Sequence, residues 1–367
     1  MNLLLVISWL WGNLYKFSFF SPDVHVSLLD ITIFLVFIFS AKKLLNIYRP
    51  LLKSVIIFFS IAIITLIIGT FRFGPSAGVV GSFYLFRWII YSVIFIALGS
   101  KIQISKLRLL GMGTVILGIL QYFLYPDIRW LQISEWDPHY YRVVSTFLDP
   151  GFTGLLIVFT LILITLNPLK NRVLNLFIWF ISYFTFAFTY SRSSYLAFLV
   201  SFAWISWHKK SWKLFLGIVL LFISTVYLLP RSPDGEGVKL ERTSSIAARI
   251  ASWTTAWRIF TQNPILGVGF NTYRYAQGAS LKSHAGAGAD SSLLFVAATT
   301  GIVGLVAYLW YFRCLYTLNP NAYTLRASLV ALLIHSLFLN SLFYPPVMLW
   351  IAILATNTNS PSPSALS

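Results

Sequence analysis

Six residues have side chains, and positions in the sequence, that suit chemistry on an anionic substrate. Four are arginines, and a guanidinium can donate two parallel hydrogen bonds to one phosphate group. The other two, His284 and Asp290, stand on one polar segment before a hydrophobic stretch and could accept a proton. The residue types therefore predict a phosphate-bearing ligand, such as a membrane lipid or a lipid-linked substrate, with a base beside it. The arginines are Arg87, Arg192, Arg249 and Arg258.

Two of these arginines stand where hydrophobic segments leave little room for water. Arg192 occurs in Thr189–Ser194, a tight turn between two predicted spans that also carries serine hydroxyls. Arg87 lies within the predicted span 79–98, about 12 Å below its outer end at 1.5 Å per residue. Because a guanidinium at that depth costs about 2.5–3.5 kcal/mol on insertion scales, it should face the bundle interior and a partner. An arginine that snorkels to the surface is the alternative.

A third arginine falls on an amphipathic helix predicted over Thr243–Gln262, which Asn263-Pro264 would end. At 100° per residue, Arg249 lies about 60° from the centre of the apolar stripe of this helix. The pattern suits a helix on the membrane surface or against other helices, where Arg249 could meet a phosphate. A snorkelling arginine at a lipid headgroup is again the alternative. The stripe consists of Ile246, Ile250, Trp253, Trp257 and Phe260.

The composition decides what kind of scaffold must position these residues. Of 367 residues, 58% are hydrophobic and only 10% are charged, whereas about 25% are charged in a soluble domain. The mean hydropathy of +0.79 therefore predicts an all-α, polytopic integral membrane protein rather than a soluble or disordered chain. The one cysteine, Cys314, excludes an internal disulfide and a cysteine-based metal site.

Twelve hydrophobic segments approach the roughly 20 residues that cross a bilayer. Residues 1–229 would hold spans 1 to 9, residues 230–290 a large outer loop, and residues 291–356 spans 10 to 12. The polar, serine- and proline-rich residues 357–367 would form a disordered cytoplasmic tail. The predicted spans are 3–20, 26–45, 51–69, 79–98, 107–125, 151–167, 172–190, 194–207, 212–229, 291–312, 323–340 and 342–356.

The charges then fix an orientation. The formal charge of +17 would suggest a nucleic-acid-binding protein if the chain were soluble. In a membrane protein, the distribution of these charges first indicates the orientation of the chain in the bilayer. With a cytoplasmic N-terminus, 14 of the 27 Lys and Arg and none of the ten acids fall in loops on one side. The positive-inside rule makes that side the cytoplasm. Both termini are therefore expected in the cytoplasm, the four arginines near the outer leaflet, and no nucleic-acid partner.

Five short segments follow one another along the chain in a recognisable order. They are Thr146–Gly151, Tyr190–Tyr195, Ala248–Trp253, Asn263–Gly269 and Leu294–Gly304. In their order and spacing they resemble the O-antigen ligase and polymerase family of bacterial envelope enzymes. The resemblance covers most of the chain, including the predicted spans and the large outer loop before the tenth span.

The resemblance implies a function. The family transfers glycans from an undecaprenyl-diphosphate carrier, at the outer face of the bacterial cytoplasmic (inner) membrane, to a glycan or a lipid A-core-type acceptor. It implies that Arg192 and Arg249 bind the diphosphate, and that the inverting reaction needs no cofactor or metal. Family ligases carry a histidine four residues before the leucine that opens the closing helix, where this chain has Asp290. Either Asp290 or His284 serves as base, or the site is not of the ligase type, which favours a polymerase or a divergent member.

Two other functions stay open at this stage. A lipid-linked glycan transporter, or flippase, would also need an outward cavity with arginines, although a proton-coupled carrier normally embeds acids in its spans. No acid lies clearly inside a predicted span of this chain. A non-catalytic envelope assembly protein is the third interpretation.

Overall fold

The chain folds as a bundle of α-helices with one small β-hairpin. The computed structural model describes residues 2–18, 24–40, 49–98, 104–134, 137–231, 235–278 and 288–357. The helices of this part are α1 (Asn2–Trp11), α2 (Leu28–Ser40), α3 (Arg49–Phe73), α4 (Pro75–Leu98), α5 (Ile104–Leu124), α6 (Pro150–Leu166), α7 (Arg172–Ala187), α8 (Arg192–His208), α9 (Trp212–Leu228), α10 (Ser244–Gln262), α11 (Tyr273–Ala276), α12 (Ser292–Thr317), α13 (Tyr323–His335) and α14 (Pro345–Asn357). Strands β1 (Lys16–Ser18) and β2 (His25–Ser27) pair antiparallel.

The helices are those of a membrane protein. Among the described residues, α3, α4, α5 and α12 are long and apolar enough to cross a bilayer, and six further helices are apolar but shorter. Each of the twelve predicted spans overlaps one helix, while α10 and α11 lie in the predicted outer loop. The all-α fold is therefore confirmed, and the number of membrane crossings stays a prediction.

The first predicted span, 3–20, is wrong in its second half. Helix α1 ends at Trp11 because Gly12 turns the chain with a φ of +58°. A Cβ on Gly12 would lie 2.6 Å from the carbonyl oxygen of Thr146. The Asn13 amide then donates to the Phe147 carbonyl and to the Tyr344 hydroxyl, both at 2.9 Å. The apolar residues after it continue as strand β1 and not as helix.

Helix α6 forms the centre of the bundle. Its residues from Pro150 to Ile164 are all buried apart from Phe152, as expected for a helix that is hydrophobic all round. Helices α5, α7, α8 and α13 pack around it. Helix α9, in contrast, fully buries only Ile218 and exposes seven large apolar side chains, which suits a lipid-facing position. The exposed side chains are Trp212, Phe215, Leu216, Leu220, Ile223, Tyr227 and Leu228. The body of α6 is thus enclosed by the bundle, whereas residues 149–152 at its N-terminus line a cavity.

The segment between α10 and α12 docks on a break in α12. Gly301 has a φ of +67° inside α12, and a Cβ there would collide with the Ile265 carbonyl. The Val268 and Gly269 amides donate to the Ala298 and Thr299 carbonyls at 3.0 Å. The Gly267 amide donates to the Asn263 carbonyl at 2.9 Å, so this turn uses the amides of both its glycines within the protein.

Helix α10 begins one residue after Thr243 and ends at Gln262, close to the predicted bounds. It buries Ala256 and Ile259 in a small cluster with residues of α12. Three members of the apolar stripe, Ile246, Ile250 and Trp257, are exposed. These three residues face away from the bundle, as a helix at a membrane surface would require, whereas Trp253 packs on Phe338.

Candidate functional site

One face of the bundle contains a cavity of about 1110 Å³. The β-hairpin, the connections after α5, α9 and α13, the first residues of α8, the cavity-facing side of α10 and the residues before α12 contribute to its wall. Eight of the lining residues are Lys or Arg and four are Asp, so the cavity favours an anion. The charged lining residues are Lys16, Asp30, Arg87, Arg129, Asp137, Arg142, Asp149, Arg192, Arg242, Arg249, Arg274 and Asp290.

A short turn between α7 and α8 forms part of the wall. Its Tyr190 adopts a φ of +49°, which non-glycine residues adopt infrequently. Arg142 donates to the Thr189 carbonyl at 3.0 Å and to the Tyr190 carbonyl at 3.3 Å. Arg242 donates to the same Tyr190 carbonyl at 3.2 Å. Two arginines that no motif marks in the sequence therefore hold this turn in place.

Behind the turn, a buried histidine fixes the first residues of α8. The Nε2 of His335 lies 3.3 Å from the Ser193 hydroxyl and 3.2 Å from the Ser194 hydroxyl. Its Nδ1 lies 2.6 Å from the Ser341 hydroxyl. The Ser194 hydroxyl also donates to the Gly151 carbonyl of α6 at 3.0 Å. The start of α8 is thereby tied to α6 and α13.

Arg192 is the first residue of α8, and its guanidinium donates hydrogen bonds to the outer loop. It donates to the Leu240 and Arg242 carbonyls at 3.2 and 3.0 Å and to the Ser245 hydroxyl at 2.6 Å. The side chain lines the cavity and at the same time holds the start of α10.

Arg249 follows Ser245 by one turn on α10 and points into the cavity. Its guanidinium makes no hydrogen bond within the described part of the chain and lies over the Phe338 ring, 5.9 Å from the centroid. Burial lowers the pKa of Arg249, and nearby Asp290 opposes that effect, but an arginine stays charged at neutral pH. Its donors are therefore free for a ligand.

Asp290 stands beside Arg249, two residues before α12. Its backbone amide donates to the Ser252 hydroxyl at 2.9 Å, and its carbonyl accepts from Trp253 at 3.2 Å. Burial raises the pKa of the Asp290 carboxyl, while the charge of Arg249 lowers it in part. The carboxylate is therefore held close to an arginine without a hydrogen bond from any described residue. His284 lies outside the described residues.

The remaining two predicted arginines have different positions. Arg87 faces the bundle interior as predicted, where it pairs with Asp30 at 3.0 Å, donates to the His25 carbonyl and lies over the Tyr84 ring. It lines the same cavity as Arg192 and Arg249. Arg258 is exposed on α10 and does not line the cavity. Three of the four predicted arginines are thus brought to one cavity.

A comparison with protein families decides what this arrangement belongs to. Residues 176–309, from within α7 to within α12, match the family model described as O-antigen ligase. This part of the chain is similar to the O-antigen ligase family. The matched segment includes Arg192, Arg249 and Asp290 and thus one wall of the cavity. A search of curated proteins found no significant match.

The similarity to O-antigen ligases indicates a coarse function for the chain. It is a bacterial membrane protein that handles envelope glycans, and the family is one of glycan-transferring enzymes. Lipid-linked glycans, acceptors and membrane lipids are the partners that O-antigen ligases imply. The O-antigen ligase match ends before α13 and α14, although His335 and Phe338 from that region pack against matched residues.

Proposed function

We propose that the chain transfers a glycan from an undecaprenyl-diphosphate carrier to an acceptor hydroxyl, at the outer face of the cytoplasmic membrane. One observation carries the proposal: the Arg249 guanidinium faces the cavity with no hydrogen bond from the described residues, and Asp290 lies beside it. A guanidinium and a carboxylate at one cavity wall can serve the leaving group and the nucleophile of one reaction.

In this reaction the acceptor oxygen attacks the anomeric carbon of the donor glycan. The bond between that carbon and the diphosphate oxygen breaks, and the diphosphate leaves with the electron pair. Arg249 stabilises the negative charge on the leaving diphosphate. The acceptor proton passes to the Asp290 carboxylate, whose raised pKa makes it a better base than an exposed aspartate. Attack opposite the diphosphate inverts the anomeric centre.

The two arginines of the family pattern have different parts in this proposal. Arg249 contacts the diphosphate directly. Arg192 bonds to Ser245, one turn before Arg249 on the same helix, and so orients Arg249 while adding positive charge to the cavity. Positioning of this kind lowers the activation barrier of the transfer because the lipid-linked glycan is bound in a reactive geometry. The leaving charge is carried by arginines in this scheme, and no step is assigned to a metal.

The acceptor is proposed to be a second lipid-linked glycan, which makes the chain a polymerase. Support comes from Asp290, which stands where family ligases carry a histidine. A ligase would instead use a lipid A-core-type acceptor.

Purified protein incubated with an undecaprenyl-diphosphate oligosaccharide tests these assignments. A ladder of longer lipid-linked products is the expected result. A single product that forms only when a lipid A-core-type acceptor is added would indicate a ligase. No covalent product, together with movement of the lipid across a vesicle membrane, would contradict the transferase and indicate a transporter.

A further inference from the structure

Three side chains with metal-binding atoms meet beside the cavity. Asp137 and His139 stand on an extended segment after α5, and Asp149 caps the N-terminus of α6. One ligand atom from each lies within 4.8 Å of the other two. Alternate residues of an extended chain point to the same side, which explains why Asp137 and His139 can act together. No Asp-x-Asp motif or histidine cluster marks this group in the sequence.

The segment that carries two of the three is held in place by backbone pairing. Asp127 and Tyr140 form an isolated antiparallel bridge. The Ile128 amide donates to the His139 carbonyl at 3.1 Å, and the Tyr141 amide donates to the Pro126 carbonyl at 2.9 Å. The Asp149 carboxylate accepts from the Phe152 amide at 2.8 Å. Both sides of the group are therefore fixed by hydrogen bonds that involve no metal.

His139 has a nitrogen with no partner. Its Nε2 is shielded from solvent and makes no hydrogen bond in the described part of the chain. A buried polar atom without a partner costs free energy and calls for a ligand. The lone pair of such an imidazole nitrogen can bind a metal ion.

The two carboxylates likewise lack a close cation. Neither Asp137 nor Asp149 forms an ion pair with a Lys or Arg among the described residues. The nearby Arg142 gives its hydrogen bonds to the turn before α8 instead. A ligand oxygen of each carboxylate lies within 4.8 Å of the other, so a bound cation would remove the repulsion between the two charges.

We propose that Asp137, His139 and Asp149 bind one divalent transition-metal ion of the Zn²⁺ class. One imidazole nitrogen with two carboxylate oxygens is a ligand set that suits Zn²⁺. Mg²⁺ and Ca²⁺ prefer sites made of oxygen alone. The ion joins the extended segment to the start of α6 and so stiffens one wall of the cavity. The site does not depend on the proposed transferase reaction and takes no part in it.

Zn²⁺ binding to the full-length protein, purified in detergent and stripped with a chelator, tests the proposal. Calorimetric titration should show one equivalent of Zn²⁺ bound, with a rise in the thermal midpoint. Asp137→Asn and His139→Gln should each weaken Zn²⁺ binding by at least about tenfold. Asp127→Asn is the matched control, because Asp127 stands on the same segment and pairs with Arg129 instead, and it should bind as the wild type does.

Three results would overturn the proposal. The first is no binding at one equivalent. The second is equal binding by the wild type and the Asp137 and His139 variants, which would mean an adventitious ion only. The third is tighter binding of Mg²⁺ or Ca²⁺ than of Zn²⁺, which would exclude the proposed class of metal. Asp137 is exposed, so its variant should fold even where the His139 variant does not.

Discussion

The Arg192 and Arg249 side chains line one cavity, yet their surroundings differ. Arg192 makes three hydrogen bonds to the segment that leads into α10, and the serines that follow it are tied to the buried His335. Arg249 makes none within the described residues. A guanidinium that donates three hydrogen bonds within the protein stabilises the fold, whereas one that donates none can give all its donors to a ligand. Both arginines were expected to bind the diphosphate, but these contacts suit Arg192 to supporting the fold and Arg249 to binding the ligand.

The largest expected effect is on the rate of glycan transfer, and it distinguishes Arg249 from Arg258 on the same helix. Arg249→Ala should reduce the rate of glycan transfer by about 100-fold or more, as the loss of one transition-state donor does elsewhere. The thermal midpoint should hardly change, because no hydrogen bond is lost. Arg258→Ala should leave the rate near the wild-type value, since Arg258 lies outside the cavity. Equal rates for both variants would remove Arg249 from the site.

Arg192 should behave in the opposite manner. Arg192→Ala removes three hydrogen bonds from a charged donor, and bonds of this kind contribute about 1.5–3 kcal/mol each at most. We expect a lower thermal midpoint, faster proteolysis near residues 240–245 and a reduced transfer rate. Arg192→Lys keeps the charge but loses the fork, so it should recover only part of the stability. An Arg192→Ala protein of wild-type stability would contradict the supporting role.

His335 tests whether the buried side of the turn supports the site. His335→Ala removes the hydrogen bonds to Ser193, Ser194 and Ser341. It leaves the Ser341 hydroxyl without a partner among the described residues, at a cost of about 1–3 kcal/mol that urea denaturation can measure. The exposed His208 on the other end of α8 is the matched control. Its replacement by alanine should change stability by no more than about 0.5 kcal/mol. A similar loss of stability in both variants would mean that the hydrogen bonds of His335 contribute no more to stability than a surface histidine does.

The last comparison concerns acid pH, where the expected effect on the wild type is a shift of the pH profile. Burial raises the pKa of Asp290 above its ordinary value, and only the deprotonated carboxylate can accept a proton. The transfer rate should therefore fall as the pH drops, and it should do so at a higher pH than an exposed aspartate would cause. Asp290→Asn should abolish most activity and this acid limb with it. Full activity of Asp290→Asn would assign the base to His284 or to neither residue.

The helices of the bundle could be predicted from the length of the hydrophobic segments. The one span with a wrong end, 3–20, has a local cause. Each predicted span overlaps a helix because a long apolar segment in a chain of this composition has few other solutions. The span 3–20 failed at Gly12 and Asn13, where the chain turns to meet residues far away in the sequence. Apolar length alone does not reveal a tertiary contact of that kind.

The cavity could be predicted only in part. Arg87, Arg192 and Arg249 were marked by depth, by a tight turn and by helical spacing. Arg142 and Arg242 stand in irregular loops, so no periodicity distinguishes them from other surface charges. Their positions become visible only when the carbonyls they bind are known.

The central claim is that the cavity beside Arg249 binds a diphosphate, and direct binding tests it without any assumption about the acceptor. Native mass spectrometry of the purified protein with undecaprenyl diphosphate would compare the wild type, Arg249→Ala and Arg258→Ala. The wild type and Arg258→Ala should bind one lipid with similar affinity, and Arg249→Ala should bind it at least about tenfold more weakly. Equal affinity in all three proteins would contradict the claim.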